Sequence, residues 1–383
     1  MNKKKQLSVF TITATYIGTV VGAGFASGQE VLQFFGFFGY RGLAGIILAT
    51  ILLILFGFLI LDLGRRLKAE SHLPVILYAG GRWMGSIIDW VITFFLFGGL
   101  VTMAAGAGAI FTEQFGLPFI WGAAAMTAST LLTVLLGING VISSISFVVP
   151  LLLIIVLSVA GYTIAVGHHA LLANLLEYSN PAGAPVPFWP LTSLLYSSYN
   201  LVLAVAILAP LGALSSPSRL RAGAFWGGAG LGLGAAAIDL AMLTHINEAS
   251  LYQIPMIFVA GTLSPGVRLV YTLILLAEVY TTAVGSLFGF VARFSSQETA
   301  RYRWVAVAAG GLAFAFSQFG FSNLVGTLFP TVGLAGLLML GSLAYNLVRE
   351  KIKKPAVDFS FRSQPGRSLI FESSRELIDR EKE

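Results

Sequence analysis

The stretch GTVVGAGFASGQE, residues 18–30, sets four glycines, a serine and a glutamate inside a segment that is otherwise apolar enough to cross a membrane. A straight helix would lose about 1 kcal/mol for each glycine relative to alanine, and a charge near the hydrocarbon centre adds roughly 2.5 to 3.5 kcal/mol. We therefore expect the helix to break within this stretch. Because unpaired backbone is tolerated at membrane depth only where it faces protein or a water-filled cavity, the break predicts a binding site for a solute or an ion.

The composition of the whole chain is that of an integral membrane protein. Of its 383 residues, 56% are hydrophobic and 10% are charged, against about 25% charged residues in soluble domains. The net charge of +6 would indicate nucleic-acid binding in a soluble protein, but here it reports membrane orientation, so we expect the lipid bilayer and no nucleic acid as partner. The absence of cysteine excludes a disulfide framework, a thiolate nucleophile and a zinc–thiolate site.

Ten apolar segments are long enough to cross a bilayer, at about 20 residues for each crossing. Of the 23 lysines and arginines, all except Arg41 and Arg268 fall on one side when the amino terminus is placed inside. Because cytoplasmic loops are enriched in lysine and arginine, this pattern predicts a multi-pass membrane protein with both termini in the cytoplasm. The predicted spans lie near residues 7–38, 42–64, 84–112, 118–136, 140–166, 190–213, 222–245, 265–292, 302–318 and 321–348.

The ten spans divide into two halves of five, and this order predicts an inverted repeat. The predicted transmembrane core is 1–352, with the first repeat at about 7–166 and the second at about 190–348. Residues 353–383 alternate acidic and basic side chains, which predicts a solvated and partly disordered cytoplasmic tail.

The sixth span would be the counterpart of the first in such a repeat. It too carries polar groups within an apolar run, at Tyr196-Ser197-Ser198-Tyr199-Asn200, and Pro210 and Gly212 weaken its later turns. We therefore expect a second broken helix there.

The glycines of the first span have an alternative structural explanation. Gly18 with Gly22, and Gly24 with Gly28, are both G-x-x-x-G pairs, which let transmembrane helices approach closely. A dinucleotide-binding loop is excluded, because the spacing is wrong and no strand precedes it. The length of the segment and the adjacent polar residues Ser27 to Glu30 favour a binding site over packing alone.

The run TYIGTVVGAGFASGQEVLQFFG, residues 15–36, resembles the opening segment of the YkvI-type family of bacterial membrane proteins. The resemblance extends over roughly residues 7–350. More distantly, the run is similar to the first helix of transporters with the LeuT architecture, the amino acid-polyamine-organocation superfamily. This implies an all-α fold with a core of ten helices in two inverted repeats, whose first and sixth helices are broken around a central substrate site.

The superfamily resemblance also implies roles for individual positions. Gly22, Ala23 and Gly24 match the unwound segment whose amides hold a substrate carboxylate. Gly18 and Val21 match positions whose carbonyls bind a coupling sodium ion, together with hydroxyl residues of the eighth helix, here Thr281 and Thr282.

Glu278 departs from that pattern, since it lies on the same helical face as Thr281 and Thr282 and adds a carboxylate to the predicted ion site. It raises the alternatives of proton coupling and of direct charge compensation for a cation, while a carboxyl group merely bonded to a neighbouring hydroxyl is the structural alternative. Ser27, Glu30, Tyr199 and Asn200 complete the predicted substrate-binding set. For Glu30, a cap on the second half-helix or an ion pair with Arg41 remains an equal alternative.

These observations predict a cation-coupled secondary transporter that moves a small polar organic solute, an amino acid or an amine, by alternating access. No lysine or arginine falls in the middle of any span, so the cavity is expected to be electronegative or neutral. No phosphate-binding loop for ATP occurs, and the expected cofactors are none beyond a sodium ion or proton as coupling ion.

Other functions remain as alternatives to transport. A channel and a transporter-like sensor that signals through residues 355–383 both fit the topology. An intramembrane enzyme is disfavoured, because all four histidines lie in connections or near span ends, and we expect no catalytic residues and no resident metal. The oligomeric state is left open by the sequence.

Overall fold

The computed structural model describes residues 7–69, 71–136, 138–295 and 299–352, and the regular secondary structure of these residues is entirely helical. The described residues between 7 and 344 form one compact unit, and residues 345–352 belong to a second. The predicted tail, 353–383, lies outside the described residues. The helices are α1 (Val9–Val20), α2 (Ala23–Ser27), α3 (Gln29–Phe34), α4 (Tyr40–Leu67), α5 (Leu73–Phe115), α6 (Phe119–Leu135), α7 (Ile138–Val166), α8 (His168–Glu177), α9 (Trp189–Ala213), α10 (Pro217–Leu243), α11 (Ile246–Ala249), α12 (Pro255–Leu263), α13 (Pro265–Ala292), α14 (Ala300–Ser317) and α15 (Phe321–Ile352).

Six helices of the described chain are long and apolar enough to cross a membrane, or up to seven if a bent helix pair is counted as one span. The six are found in α4, α5, α9, α10, α13 and α15, and the bent pair joins the second half of α7 to α8 at 89°. The other predicted spans coincide with α1 to α3, α6, α7 and α14, which are shorter, broken, bent or less apolar. The structure is therefore that of a helical membrane protein.

The predicted interruption of the first span is present. Helix α1 ends at Val20 because Val21 and Gly22 adopt extended backbone, and the chain resumes helical conformation at Ala23. A second interruption follows at Gly28, whose φ of 80° lies in the left-handed region that favours glycine. The first span is thus divided into α1, α2 and α3.

The predicted break in the sixth span is wrong, because α9 runs without interruption from Trp189 to Ala213. Two of its polar side chains find acceptors on their own helix: Ser197 Oγ donates to the Ser193 carbonyl and Asn200 Nδ2 donates to the Tyr196 carbonyl, both at 2.9 Å. Ser198 and Tyr199 instead donate to the Gly333 carbonyl and to Glu30, on other helices. No glycine precedes residue 212 in this helix, so no position has the conformational freedom that lets the first span unwind.

Two groups of helices pack around the first span. Helices α1, α4, α9 and α10 contact one another, and α5, α6, α13 and α14 contact one another, while α7 touches both groups through α10 and α13. Tyr16 anchors α1 in the first group: its side chain is fully buried against Gly57 of α4 and Gly227 of α10, and its hydroxyl donates to the Leu53 carbonyl at 2.8 Å. Tyr16 therefore fixes the position of α1 relative to α4 and α10.

Helices α4 and α9 approach so closely that their backbones touch. A Cβ added at Gly64 would overlap the carbonyl oxygen of Ala209, and one added at Gly212 would overlap the carbonyl oxygen of Leu61. Small residues at such a contact permit the close packing that associates helices in lipid.

We expect Gly212→Ala to force α4 and α9 apart and to lower the free energy of unfolding by about 1–3 kcal/mol, the usual cost of overpacking. Thermal denaturation of the purified protein in detergent measures this loss. The matched control is Gly311→Ala in α14, because a Cβ there meets nothing within 4 Å. Equal stability of the two variants would contradict the backbone contact.

Candidate functional site

A cavity of about 430 Å³ lies beside the interruption between α1 and α2. Its walls come from α1, α2, α3, α5, α9, α13 and α15, and so from both helix groups. The lining residues are Gly18, Thr19, Val20, Val21, Gly22, Ala23, Gly24, Glu30, Phe95, Leu96, Gly99, Met103, Tyr199, Asn200, Leu203, Ile207, Glu278, Thr281, Thr282, Gly285, Ser286 and Phe329. The set contains every predicted substrate or ion residue except Ser27.

The interruption brings backbone polar groups to the cavity wall. The last carbonyls of a helix and the first N–H groups of the next have no partner within their own helix, which here concerns the residues around Gly18 to Gly24. Gly22 is extended, with φ −136° and ψ −174°, and no side chain caps α2. The predicted contributors Gly18, Val21, Gly22, Ala23 and Gly24 therefore offer main-chain donors and acceptors at one side of the cavity.

Glu278 of α13 faces this unwound backbone together with its neighbouring threonines. Thr282 Oγ1 donates to Glu278 Oε1 at 3.4 Å, and Thr281 donates to the Glu278 carbonyl at 3.0 Å. Glu278 Oε2 is buried and has no hydrogen-bond partner among the described residues. A Cβ at Gly22 would lie 4.0 Å from Thr282 Oγ1, so the carboxylate of α13 and the break in the first span share one end of the cavity.

Glu30 lies in the first turn of α3 and is held by Tyr199. The Tyr199 hydroxyl donates to Glu30 Oε2, and Glu30 Oε1 covers the Cα of Gly24 so closely that a Cβ there would overlap it. The alternative ion pair with Arg41 is not formed, since the exposed Arg41 side chain contacts the Tyr40 hydroxyl at 3.2 Å. Glu30 therefore belongs to the cavity wall.

Ser27 does not line the cavity, and its assignment to the substrate-binding set is corrected. Its hydroxyl donates to the Gly24 carbonyl at 2.7 Å and accepts from the Gln29 N–H at 3.2 Å, so it joins α2 to α3 across Gly28. Asn200 does line the cavity, although its Nδ2 is engaged with the Tyr196 carbonyl.

Three aromatic rings form an apolar wall, of which the predicted substrate-binding set contained Tyr199 but not Phe95 or Phe329. Tyr199 has its ring centroid 5.1 Å from that of Phe329 and 6.2 Å from that of Phe95, and the centroids of Phe95 and Phe329 are 5.3 Å apart. Nothing in the sequence distinguishes Phe329 from the other 28 phenylalanines, since the total is 29. Ser286, by contrast, lies four residues after Thr282, and this helical spacing is a signal that places it on the same face.

The lining residues are more exposed on one side of the cavity, which we call its open side. There Ile207 of α9 is 45% exposed, and Thr19 in the last turn of α1 and Ser286 of α13 are half-buried. Towards α3, Glu30 and Tyr199 are buried, and Phe34 behind them is fully buried. The structure is thus closed on the α3 side.

The cavity wall is acidic in composition. Glu30 and Glu278 are the carboxyl groups among the lining residues of the described chain, and no lysine, arginine or histidine joins them. The wall can therefore accept hydrogen bonds from a cation at two places and stack apolar or charged groups against its rings.

No protein-family model matches the chain. The chain is 32% identical over 343 residues to YkvI, an uncharacterized membrane protein of Bacillus subtilis (strain 168), and the match covers 88% of this chain and 95% of YkvI.

Two solved structures share the fold. MhsT in complex with L-phenylalanine has a TM-score of 0.57 at 18% identity, over 89% of this chain and 90% of MhsT. The manganese transporter of Eremococcus coleocola has a TM-score of 0.55 at 14% identity, over 88% of this chain and 78% of the transporter. The fold is therefore the LeuT fold, and the Eremococcus coleocola example is a transporter and not an enzyme.

We expect Ser286→Cys to react with a hydrophilic thiol reagent many times faster than Ser27→Cys. Both changes replace one hydroxyl by a thiol, and the natural chain contributes no cysteine background. Ser286 lines the open side, whereas Ser27 is 1% exposed and outside the cavity. Labelling rates of the purified variants, followed by mass spectrometry, measure the difference, and faster labelling at position 27 would contradict the closed α3 side.

Proposed function

Because the chain belongs to the YkvI family of bacterial membrane proteins and has the LeuT fold, we propose that it is a secondary transporter that moves a small polar organic solute by alternating access. The proposal includes coupling to a sodium ion or a proton, ten membrane spans in two inverted repeats, and placement in the inner membrane with both termini in the cytoplasm. With that orientation, the open side of the cavity faces the cytoplasm.

The observation that carries the proposal is the pairing of an unwound first helix with a buried carboxylate across one cavity. Gly22 adjoins Thr282, Thr282 donates to Glu278, and Glu278 Oε2 has no partner among the described residues. A buried carboxylate in a membrane span is unfavourable without a partner, so a bound cation or proton at this place supplies the missing interaction.

The solute has its own place beside this ion site. The other end of the cavity is lined by Gly24, Glu30 and Tyr199, and its volume of about 430 Å³ is in the range of small-molecule sites. The difference in exposure between the open side and the buried α3 side supports alternating access over a channel, because a channel requires a path open at both ends.

The two helix groups offer a mechanism for opening the other side. Helix α1 packs on α9 and α10 of one group, whereas Glu278 of α13 and Phe95 of α5 belong to the other. A cation between the unwound first span and Glu278, and a solute between Tyr199 and Phe95, would therefore each contact both groups. Occupation of both places favours the arrangement in which the groups close around the cargo. This links the ion to the solute thermodynamically, since each ligand strengthens the binding of the other.

The measured quantity is the factor by which the cation strengthens solute binding. We expect Glu278→Gln to reduce this factor by roughly tenfold to hundredfold, which corresponds to the loss of one hydrogen bond to a charged group. Thr282→Ala is expected to weaken it less, because it removes only an oriented hydroxyl. Thermal stabilisation of the purified protein by amines, amino acids and small carboxylates, with sodium varied at fixed pH and pH varied at fixed sodium, measures the dependence and identifies the ion.

The matched control is Glu248→Gln in α11, an exposed carboxylate that does not line the cavity. Saturable, gradient-driven uptake into proteoliposomes separates a transporter from a channel. Cation dependence that survives unchanged in both Glu278→Gln and Thr282→Ala would overturn the ion site.

A further inference from the structure

Resting on the proposed transport function, we propose that the solute is an organic ammonium compound without a carboxylate of its own. Its ammonium group is held between the Glu30 carboxylate and the aromatic rings of Phe95, Tyr199 and Phe329. The resemblance to the superfamily implies the opposite chemistry at this place, a solute carboxylate on the amides of Gly22 to Gly24.

The position of Glu30 excludes a second carboxylate beside Gly24. Its Oε1 fills the space that a Cβ of Gly24 would take, and its Oε2 is fixed by the Tyr199 hydroxyl. A solute carboxylate next to this backbone would lie against the buried Glu30 carboxyl group, and no basic side chain lines the cavity among the described residues. The protein itself therefore supplies the negative group at the unwound segment.

The charges of the cavity do not balance without a cationic cargo. Glu278 lies at the Thr282 and Gly22 end, where the coupling cation is proposed. That leaves the Glu30 carboxylate to be matched by the solute. An amino acid zwitterion brings no net charge, whereas an amine brings one positive charge.

The aromatic rings fit the same ligand. The three centroids lie 5.1 to 6.2 Å from one another around Tyr199, which also holds Glu30. Aromatic faces attract ammonium groups, and clusters of such faces recognise quaternary ammonium ligands. A carboxylate and three rings on one wall give an ammonium group both a counter-charge and a π surface.

The test compares probes that differ by one carboxylate. Binding of 2-phenylethylamine and L-phenylalanine, and of putrescine and L-ornithine, is measured by calorimetry on the purified full-length protein. We expect at least one amine to bind about a hundredfold more tightly than its amino acid, because like charges placed together are strongly unfavourable at a buried site.

Glu30→Gln preserves the shape of the side chain and removes its charge. It is expected to weaken amine binding by roughly tenfold to hundredfold and to reduce the preference for amine over amino acid. Tyr199→Phe is the second variant, since it keeps the ring and frees the carboxylate from its orienting hydroxyl. Glu177→Gln, an exposed residue at the end of α8, is the matched control and is expected to leave both affinities unchanged.

The role of the rings is tested with choline and its uncharged isostere 3,3-dimethyl-1-butanol. Phe329→Leu is expected to lower the preference for choline by about threefold to thirtyfold, whereas loss of packing alone would weaken both probes equally. Phe319→Leu, which is 64% exposed and outside the cavity, is the control.

The outcomes separate the two proposals. Tighter binding of the amino acids, or an amine preference that Glu30→Gln and Tyr199→Phe both leave unchanged, overturns the ammonium assignment while transport of an organic solute stands. Absence of binding and uptake for every amine and amino acid overturns the proposed transport of such a solute, and the ammonium assignment with it.

Discussion

The fold depends on one constraint, that backbone polar groups at membrane depth must have partners. The first span breaks this rule twice, at Val21–Gly22 and at Gly28, and both breaks lie within buried surroundings or at a cavity wall. Tyr16 holds α1 between α4 and α10, so the backbone N–H and C=O groups released at the end of α1 remain within the protein. Everything proposed about the cavity follows from the need to satisfy these groups and the carboxylates beside them.

The glycines have two different structural roles in this protein, depending on where they lie. Gly64 and Gly212 let α4 and α9 touch backbone to backbone, and this contact makes α1, α4, α9 and α10 a closely packed group. Gly22 and Gly24 leave space for neighbouring polar groups, the Thr282 hydroxyl and the Glu30 carboxylate. The same residue type thus gives rigidity where two helices touch and access where a ligand is needed.

Electrostatics then decide what the cavity accepts. Two acidic side chains at opposite ends of the break, with no basic residue among the lining side chains of the described chain, favour cationic cargo. The LeuT fold itself does not determine the cargo, since the two solved relatives contain L-phenylalanine and transport manganese, respectively. The chemistry of the solute therefore rests on Glu30, its tyrosine partner and the rings around them.

The interruption of the first span could be predicted from the sequence, because closely spaced glycines destabilise a helix through their own low helix propensity, whatever the helix packs against. The same reasoning failed for α9, where the polar side chains have hydrogen-bond partners on α9 itself or on neighbouring helices, and no glycine occurs before residue 212. Glu278, Thr281 and Thr282 could be placed on one face from helical spacing alone, and the structure brings them to the break. Only the tertiary structure decided that Glu30 turns to Tyr199 and not to Arg41, and that Phe329 joins the wall, because both depend on contacts between segments far apart in the chain.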